Sequence, residues 1–404
     1  MEDTKNLLDE SAKPTESTGK FRSLKELIEH VSGKNWNEAQ SQPDSGLHEV
    51  LPFPFLALIG QVEMKYALLL GLINPAVGGI LLIGPRGTGK TTAIRGLVDL
   101  VPEVPRSLCY YGCLPEDIEV GGIDAVCPNC AKKYARGEPL AVMDKIRLVE
   151  LPLNSRIEDV VGVTDESALD QSKLRLHRGI LAHADHNLLL VDEVNLLSDD
   201  VVDAILDAAA YGSYTVKRGL TSATYRARFV LIGTMNPEEG RLRPQIMDRF
   251  GLRVVVRGLQ ETDDRLEAYN RVQAYLHNPR RMMLEYKEET SIAQAEVQIA
   301  RDILPQVTVP EEVSRQGLEL IRQLKIDSLR AEITLFEAAK AYAALDNRKL
   351  VTQEDLQIIA PMALRMRRSE FIEKYLTDQG VEQLEITSSV HHTFPPNIPE
   401  ENAR

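Results

Sequence analysis

A glycine-rich loop from Gly84 to Thr91, with the sequence GPRGTGKT, constrains the fold of this chain most strongly. An apolar run from Gly79 to Ile83 precedes the loop, and a helical pattern follows from Thr92. A buried strand, a glycine-rich loop and a helix start form the context in which G-x-x-x-x-G-K-[ST] binds phosphate. The alternative is a chance glycine turn before a helix. We therefore expect an α/β domain whose parallel sheet, flanked by helices, carries this loop.

The residue types in the loop suit a polyphosphate ligand bound with Mg²⁺. Glycines let the backbone curl so that successive N–H groups face one centre, and the next helix N-terminus adds positive potential. Lys90 is expected to reach the β- and γ-phosphates, and the Thr91 hydroxyl to ligate Mg²⁺. The predicted nucleotide-binding residues of the loop are Gly84, Pro85, Arg86, Gly87, Thr88, Gly89, Lys90 and Thr91.

A second signature is an acidic pair, Asp192 and Glu193, directly after the apolar run Leu188 to Val191. A continuous apolar run suits a strand that is buried on both faces of a parallel sheet, and such sheets bind ligands at the C-terminal ends of their strands. Asp192 is expected to hold Mg²⁺, and Glu193 to orient and deprotonate the attacking water. The alternative is a surface turn or a helix cap, but the phosphate loop earlier in the chain favours the functional interpretation.

Three further polar residues are candidates for the same site. Asn236 ends a third apolar strand and can help to position water, although it can equally cap a loop. Arg249 ends a short helix and can act as an arginine finger on a neighbouring subunit's nucleotide. Its alternative is a surface arginine paired with Asp248. Arg330 opens a later helix, from which it can lean onto bound nucleotide.

Charge and composition exclude some classes of protein. The apolar fraction of 43% and charged fraction of 26% are ordinary for a soluble globular chain of 404 residues. The formal net charge of −13 argues against broad electrostatic binding to nucleic acid. We find no apolar run long enough to cross a bilayer and no apolar signal core, so a reducing cytoplasm is the expected location.

All four cysteines fall in one short segment, as Cys109, Cys113, Cys127 and Cys130. Two closely spaced pairs can close a tetrahedron of thiolates around a structural Zn²⁺, which would staple an insertion too small for a core of its own. Four free thiols or an iron–sulfur cluster are the alternatives. No nearby residue supplies an open coordination position, so zinc here would be structural.

Composition changes along the chain divide it into an ordered body with extensions. The predicted parts are a largely disordered polar extension (1–47), the nucleotide-binding domain (48–258) with a cysteine-rich insertion (107–135), solvated linker helices (259–308), a helical bundle (309–370) and a loosely ordered tail (371–404). A helical apolar pattern at Phe21, Leu24, Leu27, Ile28 and Val31 interrupts the first extension. Thr352 and Asp355 resemble a capping box that starts a helix of the bundle.

The order of these motifs resembles that of AAA+ ATPases, and within them the ATPase subunit of magnesium chelatases. The most specific stretches are Gly60 to Lys65, the loop GPRGTGKT, VDEVNLL from Val191, and NPEEG from Asn236 through DRFG at Asp248. Leu329 to Leu345 and Ile359 to Arg365 extend the likeness into a helical lid. The resemblance implies a P-loop NTPase of the AAA+ type, followed by a helical-bundle lid domain.

The resemblance also implies roles and partners. By position, Lys90 and Thr91 match Walker A, and Asp192 and Glu193 match Walker B. Asn236 then matches sensor 1, Arg249 the arginine finger that acts in trans, and Arg330 sensor 2. The implied assembly is a homo-oligomeric ring, usually a hexamer, that works with a partner subunit containing a von Willebrand A domain.

Two functions fit this resemblance. The first is a motor subunit whose ATP hydrolysis drives metal insertion into a tetrapyrrole through partner subunits. The alternative is a MoxR-like chaperone that remodels a protein client with a von Willebrand A partner. The block from Asn236 to Gly251 favours the first, and the unusual extensions favour the second. A ring helicase is disfavoured by the acidic charge.

Overall fold

The structure, a computed structural model, describes residues 51–109, 111–165, 175–218 and 221–368. The predicted disorder of 1–47, the apolar pattern at 21–31 and the tail at 371–404 lie outside these residues.

Strands of the described part are short, four to six residues each. They are β1 (Ile80–Ile83), β2 (Val104–Ser107), β3 (Ala141–Asp144), β4 (Leu148–Leu151), β5 (Gly162–Asp165), β6 (Arg175–Arg178), β7 (Leu188–Val191), β8 (Ser213–Arg218), β9 (Thr221–Arg226), β10 (Val230–Met235) and β11 (Leu252–Val255).

Helices occupy most of the C-terminal half. The α-helices are α1 (Val62–Ile73), α2 (Lys90–Leu97), α3 (Pro115–Gly121), α4 (Pro128–Ala135), α5 (Ile157–Val161), α6 (Ile180–Ala184), α7 (Asp199–Tyr211), α8 (Pro244–Arg249), α9 (Thr262–His277), α10 (Pro279–Glu285), α11 (Lys287–Ile303), α12 (Glu311–Gln323), α13 (Leu329–Leu345) and α14 (Gln353–Leu364).

A five-stranded sheet forms the centre, in the order β11-β1-β10-β7-β4, with every pair parallel. Each of the four residues of β1 and of β7 is buried. Their side chains alternate between two hydrophobic cores, with Ile80 and Leu82 on one face and Leu81 and Ile83 on the other. Burial on both faces explains why these strands are continuous apolar runs. The predicted parallel sheet flanked by helices is confirmed.

The bundle of α12, α13 and α14 packs on the sheet domain through α1. The alanine-rich α13 allows close helix contact, and Tyr342 on it meets Tyr66 of α1 edge to face, with ring centroids 5.8 Å apart. Asn74, just after α1, donates from Nδ2 to Glu337 Oε2 at 2.8 Å. Thr352 and Asp355 exchange capping hydrogen bonds at the start of α14. The predicted helical lid is confirmed.

The helices predicted to be a solvated linker (259–308) are partly buried, which corrects that expectation. In α11 the small residues Ala293, Val297 and Ala300 recur at helical spacing and are 0–1% exposed in the main core. Arg271 of α9 is also buried, and its Nη1 donates to Ala57 O at 3.0 Å. Most residues of these helices are polar or charged, so the narrow apolar stripe that packs in the core gives only a weak sequence signal.

Two further units flank the sheet. The antiparallel pair β2–β3 encloses α3 and α4 in a small module that carries the four cysteines. The antiparallel hairpin β8–β9 connects α7 to β10. Within the described residues, no helix combines the length and the hydropathy needed to span a bilayer.

Candidate functional site

Polar residues that follow three neighbouring strands meet in one cavity. Because β1, β10 and β7 lie side by side and parallel, their C-terminal ends share an edge of the sheet. The cavity has a volume of about 270 Å³, and its lining includes Lys90, Thr91, Asp192, Glu193 and Asn236. The structure therefore brings together residues from the loop, the acidic pair and the end of the third apolar strand.

The loop after β1 adopts a conformation that requires glycine at several positions. Gly87 and Gly89 have φ values of 78° and 84°, in the left-handed region. A Cβ atom on Gly84 would lie 2.1 Å from the carbonyl oxygen of Val256, so only glycine fits beside this backbone segment. The helix α2 begins at Lys90, two residues earlier than predicted, with Gly89 as its N-cap. The helix start therefore lies at the loop.

Lys90 is 9% exposed, and its ammonium is held inside the loop. Nζ donates to Gly84 O at 2.7 Å and to Pro85 O at 2.8 Å. Burial lowers the pKa of Lys90, whereas the negative charges of Asp192 and Glu193 oppose that shift. An ammonium has three protons, so one remains available beyond these two bonds for a ligand in the cavity.

The acidic pair is held by Thr234, a residue of β10 that the sequence analysis did not identify. The Thr234 hydroxyl donates to Asp192 Oδ1 and accepts from the Glu193 N–H, the latter at 3.0 Å. Glu193 has φ = 52°, a strained backbone angle for a non-glycine residue. The hydroxyl therefore holds the Asp192 carboxylate and the backbone of Glu193 at the end of β7.

Arg86 of the loop contacts the second carboxylate directly. Its Nη2 lies 3.0 Å from Glu193 Oε1 and 2.6 Å from Glu239 Oε1. The hydrogen bond to Glu193, followed by the charges of both glutamates, raises the pKa of Arg86. Arg86 is recognisable from the loop motif, but no sequence pattern signals this pairing, because Glu193 is 107 residues away.

Asn236 lines the cavity and also makes a hydrogen bond within its own loop. It is 4% exposed and lines the cavity. Its Oδ1 also accepts from the Glu238 N–H at 3.3 Å, as a loop cap would.

Arg249 and Arg330 are not among the residues that line this cavity. Arg249 Nη1 lies 2.8 Å from Asp207 Oδ1 and 3.4 Å from Asp203 Oδ1 on α7. Its ion-pair partners thus differ from the Asp248 considered in its surface alternative. Arg330, which is about half exposed, lies 3.7 Å from Asp248 Oδ2.

Asp248 connects the lid to the sheet domain. Its carboxylate accepts from Arg367 Nη1 at 2.7 Å and from Ser328 Oγ at 3.0 Å, both in the C-terminal bundle region. It also lies 3.5 Å from Arg253 Nη2 in β11. Arg253 is fully buried, and burial lowers its pKa to about 10. No sequence pattern signals this cluster, because the bundle partners lie 80 and 119 residues away.

A second cavity of about 500 Å³ lies beside the start of the loop. Gln61, Met64, Val255, Leu259 and Arg365 are among its lining residues. It adjoins the loop because β11 pairs with β1, and the Val256 N–H donates to Ile83 O at 2.7 Å. The helix α1 is mostly buried, as a packing helix would be, while its N-terminal residues form the cavity wall.

The four cysteines form a compact cluster in the β2–β3 module. Their sulfur atoms all lie within 4.8 Å of one another, and none is in a disulfide. Cys113 and Cys130 are buried, and Cys109 and Cys127 are half-buried. Burial raises the pKa of the Cys113 thiol to about 11 and also raises that of Cys130.

Comparisons with known proteins show which family the chain is similar to. The chain matches the family profile "Magnesium chelatase, subunit ChlI" over residues 163–241 and the profile "AAA lid domain" over residues 318–385. The magnesium-chelatase subunit ChlI homolog of Methanocaldococcus jannaschii is 39% identical over 336 residues, which are 82% of this chain and 90% of that protein. The magnesium-chelatase 38 kDa subunit of Acidiphilium rubrum is 40% identical over 82% of this chain and 95% of that protein.

A solved structure of a "putative ATPase" has a similar fold. The crystal structure of a protein from Cytophaga hutchinsonii is 20% identical in sequence and has a TM-score of 0.50. The match covers 89% of this chain and 92% of that protein's chain. The fully parallel sheet and the match to the lid profile agree with the sequence identity to these relatives. The chain belongs to the magnesium-chelatase subunit ChlI family of AAA+ proteins.

Proposed function

We propose that the chain is the ATP-hydrolysing motor subunit of a magnesium-chelatase-type complex, and that it drives metal insertion into a tetrapyrrole through partner subunits. The observation that carries this proposal is the convergence of Lys90, Thr91, Asp192, Glu193 and Asn236 on one cavity. A lysine, a hydroxyl, two carboxylates and an amide around a glycine-rich loop are the groups that phosphoryl transfer needs.

The loop and its lysine bind the phosphates of ATP in this proposal. The N–H groups around Gly87 and Gly89 face the ligand, and the free proton of Lys90 bonds a phosphate oxygen. Thr91 and Asp192 hold Mg²⁺, with Asp192 oriented by Thr234. The second cavity, beside Gln61 and Arg365, receives the nucleotide base and sugar.

Hydrolysis requires Glu193 to accept a proton from water. The water oxygen bonds to the γ-phosphorus, the bond to the β–γ bridging oxygen breaks, and the proton passes to the Glu193 carboxylate. Arg86 pairs with that carboxylate at 3.0 Å and so occupies the oxygen Oε1 of Glu193. The γ-phosphate oxygens offer Arg86 another acceptor, so ATP binding would free Glu193 for catalysis.

A homo-oligomeric ring, which we take to be a hexamer, completes each site. Arg249 does not line the cavity of its own subunit and lies on α8 beside acidic residues of α7. This position supports a role in trans, in which Arg249 leaves Asp203 and Asp207 for the neighbour's γ-phosphate. Arg330 and the Asp248 cluster couple the lid to the same short helix.

The partners are the other subunits of a chelatase, including one with a von Willebrand A domain. Support comes from the relatives, which are named as subunits of magnesium chelatase. Such names over 82% of the chain also favour the chelatase over a MoxR-like chaperone. A structural zinc ion at the four cysteines completes the proposed cofactors, and the cytoplasm, which keeps thiols reduced, is the proposed location.

Reconstitution tests this function. The full chain is combined with the remaining chelatase subunits from its own cells, and Mg²⁺ insertion into a porphyrin is followed by fluorescence. We expect insertion only with hydrolysable ATP and this chain, and its loss with Lys90→Ala. Insertion that proceeds equally well without the chain or with Lys90→Ala would reject the motor role.

A further inference from the structure

The cysteine cluster has the dimensions of a closed metal site. Cys109 Sγ lies 3.7 Å from Cys113 Sγ and 3.5 Å from Cys127 Sγ. A tetrahedral zinc ion with Zn–S bonds of about 2.3 Å places its ligand sulfurs about 3.8 Å apart. The observed separations match that edge length and are far longer than a disulfide bond of about 2.05 Å.

Backbone N–H groups around the cluster suit thiolates. The Cys127 N–H donates to Cys113 Sγ, and the Tyr111 N–H donates to Cys109 Sγ, each at 3.3 Å. Such bonds stabilise negative charge on sulfur and orient the ligands of a metal. Four sulfurs fill the coordination of zinc, so the site would be structural.

The module around the cluster has little hydrophobic core of its own. Besides Cys113 and Cys130, the buried apolar residues in its described part are Leu114, Val126 and Leu140. Small units of this kind depend on a metal or disulfides for stability. The cluster is therefore the main candidate for what fixes the shape of residues 109–130.

Two residues between the cysteines contact the hairpin β8–β9. The Tyr111 ring stacks on Tyr225 with centroids 6.0 Å apart and an angle of 13° between planes. Asp117 accepts from Arg226 Nη1 and also caps α3 by accepting from the Leu114 N–H at 2.6 Å. Both contacts lie at the end of β9, four to five residues before β10 begins.

We propose that Cys109, Cys113, Cys127 and Cys130 bind one zinc ion, and that the closed site positions the hairpin β8–β9 through Tyr111 and Asp117. On binding, each thiol releases its proton to solvent and its sulfur forms a bond to the metal. β10 follows the hairpin and carries Thr234, with Asn236 next to its end. The metal site therefore fixes the segment that enters the strand behind the phosphates.

The zinc part of this inference is independent of ATP turnover, so its test separates from that of the motor role. Full-length protein is purified without added metal, and its metals are measured by mass spectrometry. We expect about one zinc per chain, and less than about a tenth of that in the double variant Cys127→Ser/Cys130→Ser. Iron in place of zinc, or no bound metal in the wild type, would overturn the assignment.

Hydrogen–deuterium exchange tests the positioning of the hairpin. Peptides from 213–218 and 221–226 should exchange at least about tenfold faster in the zinc-free double variant, whereas β1 and β7 should not change. Asp117→Asn should keep its zinc and still speed exchange in the hairpin, which gives a readout even if the cysteine variant misfolds. Arg136→Ala, on the same module and paired with Glu138 at its own end of the cysteine segment, is the matched control.

Unchanged hairpin exchange in Asp117→Asn would refute the positioning role even where zinc is present. Faster exchange in the Arg136→Ala control would equally count against it, because any disturbance of the module would then suffice.

Discussion

The buried residue Lys65 of α1 shows how its surroundings shift the pKa of a single side chain. It is fully buried, and its Nζ donates to Leu58 O at 2.6 Å. Burial, aided by the nearby Arg271 cation, lowers the pKa of Lys65 to about 8. Below pH 8 both the folded and unfolded states hold the proton, so the folded state carries the full cost of a buried charge. Above pH 8 only the unfolded state still binds it, and stability rises until its ordinary pKa.

This shift predicts a pH dependence of stability. Between pH 8 and pH 10, the free energy of unfolding of the wild type should rise relative to that of Lys65→Met, by up to about 1.4 kcal/mol per pH unit. Urea unfolding of both proteins at pH 7.5, 8.5 and 9.5 measures the difference. If the free energy of unfolding of the wild type stays constant relative to that of Lys65→Met, or falls relative to it, Lys65 keeps its ordinary pKa.

At the residue scale, contiguous motifs were predictable and distant pairings were not. The loop Gly84 to Thr91 and the pair Asp192 and Glu193 are each recognisable from consecutive residues, and the structure places both in the lining of one cavity. Thr234 and the Arg86–Glu193 contact depend on how β10 and the loop meet β7. Only the sheet order brings those residues together.

At the scale of elements, α8 directs two adjacent residues to different partners. Asp248 accepts from Arg367 and Ser328 near the lid, while Arg249 pairs with Asp203 and Asp207 of α7. The helix therefore touches both the lid of its own subunit and the proposed interface with the next subunit.

This division predicts different effects for neighbouring substitutions. Asp248→Asn leaves two buried arginines without a carboxylate and should cost about 3 kcal/mol of stability, with faster exchange in α14. Arg249→Ala removes exposed ion pairs and should change stability by less than about 1 kcal/mol. Urea unfolding and hydrogen exchange compare the two. Equal stability of Asp248→Asn and wild type would mean that Asp248 does not hold the lid.

Element type was predicted better than element burial. The strands, the loop and the lid helices followed from the spacing of apolar residues and from the residues that end each element, as the buried runs of β1 and β7 show. The helices of 259–308 were expected in solvent, yet Ala293, Val297 and Ala300 pack in the core. Small residues in a charged helix give a weak signal, because their burial depends on which helix lies opposite.

At the scale of the whole molecule, the account requires that neighbouring subunits share each site. Arg249→Ala keeps the loop and Glu193 but lacks the proposed finger, whereas Glu193→Gln keeps Arg249 but lacks the proposed base. In mixed rings, an Arg249→Ala site beside a Glu193→Gln subunit is complete. Because an arginine finger accelerates such reactions about 10³–10⁵-fold, the mixture should hydrolyse ATP at least about tenfold faster than either variant alone.

Phosphate release from mixtures at several ratios measures this complementation, with mixtures of Arg249→Ala and Lys90→Ala as a second pairing. If no mixture exceeds the activity of its components, Arg249 does not act on a neighbour's nucleotide.

The most direct test of the central claim is to measure Mg·ATP binding and phosphate release in parallel for the wild type, Glu193→Gln and Lys90→Ala. We predict that Glu193→Gln binds Mg·ATP within about threefold of the wild-type Kd while its turnover falls at least about 100-fold, the loss expected for a missing general base. Lys90→Ala should lose binding itself. Wild-type protein that binds no Mg·ATP, or Glu193→Gln that turns over at the wild-type rate, would contradict the account.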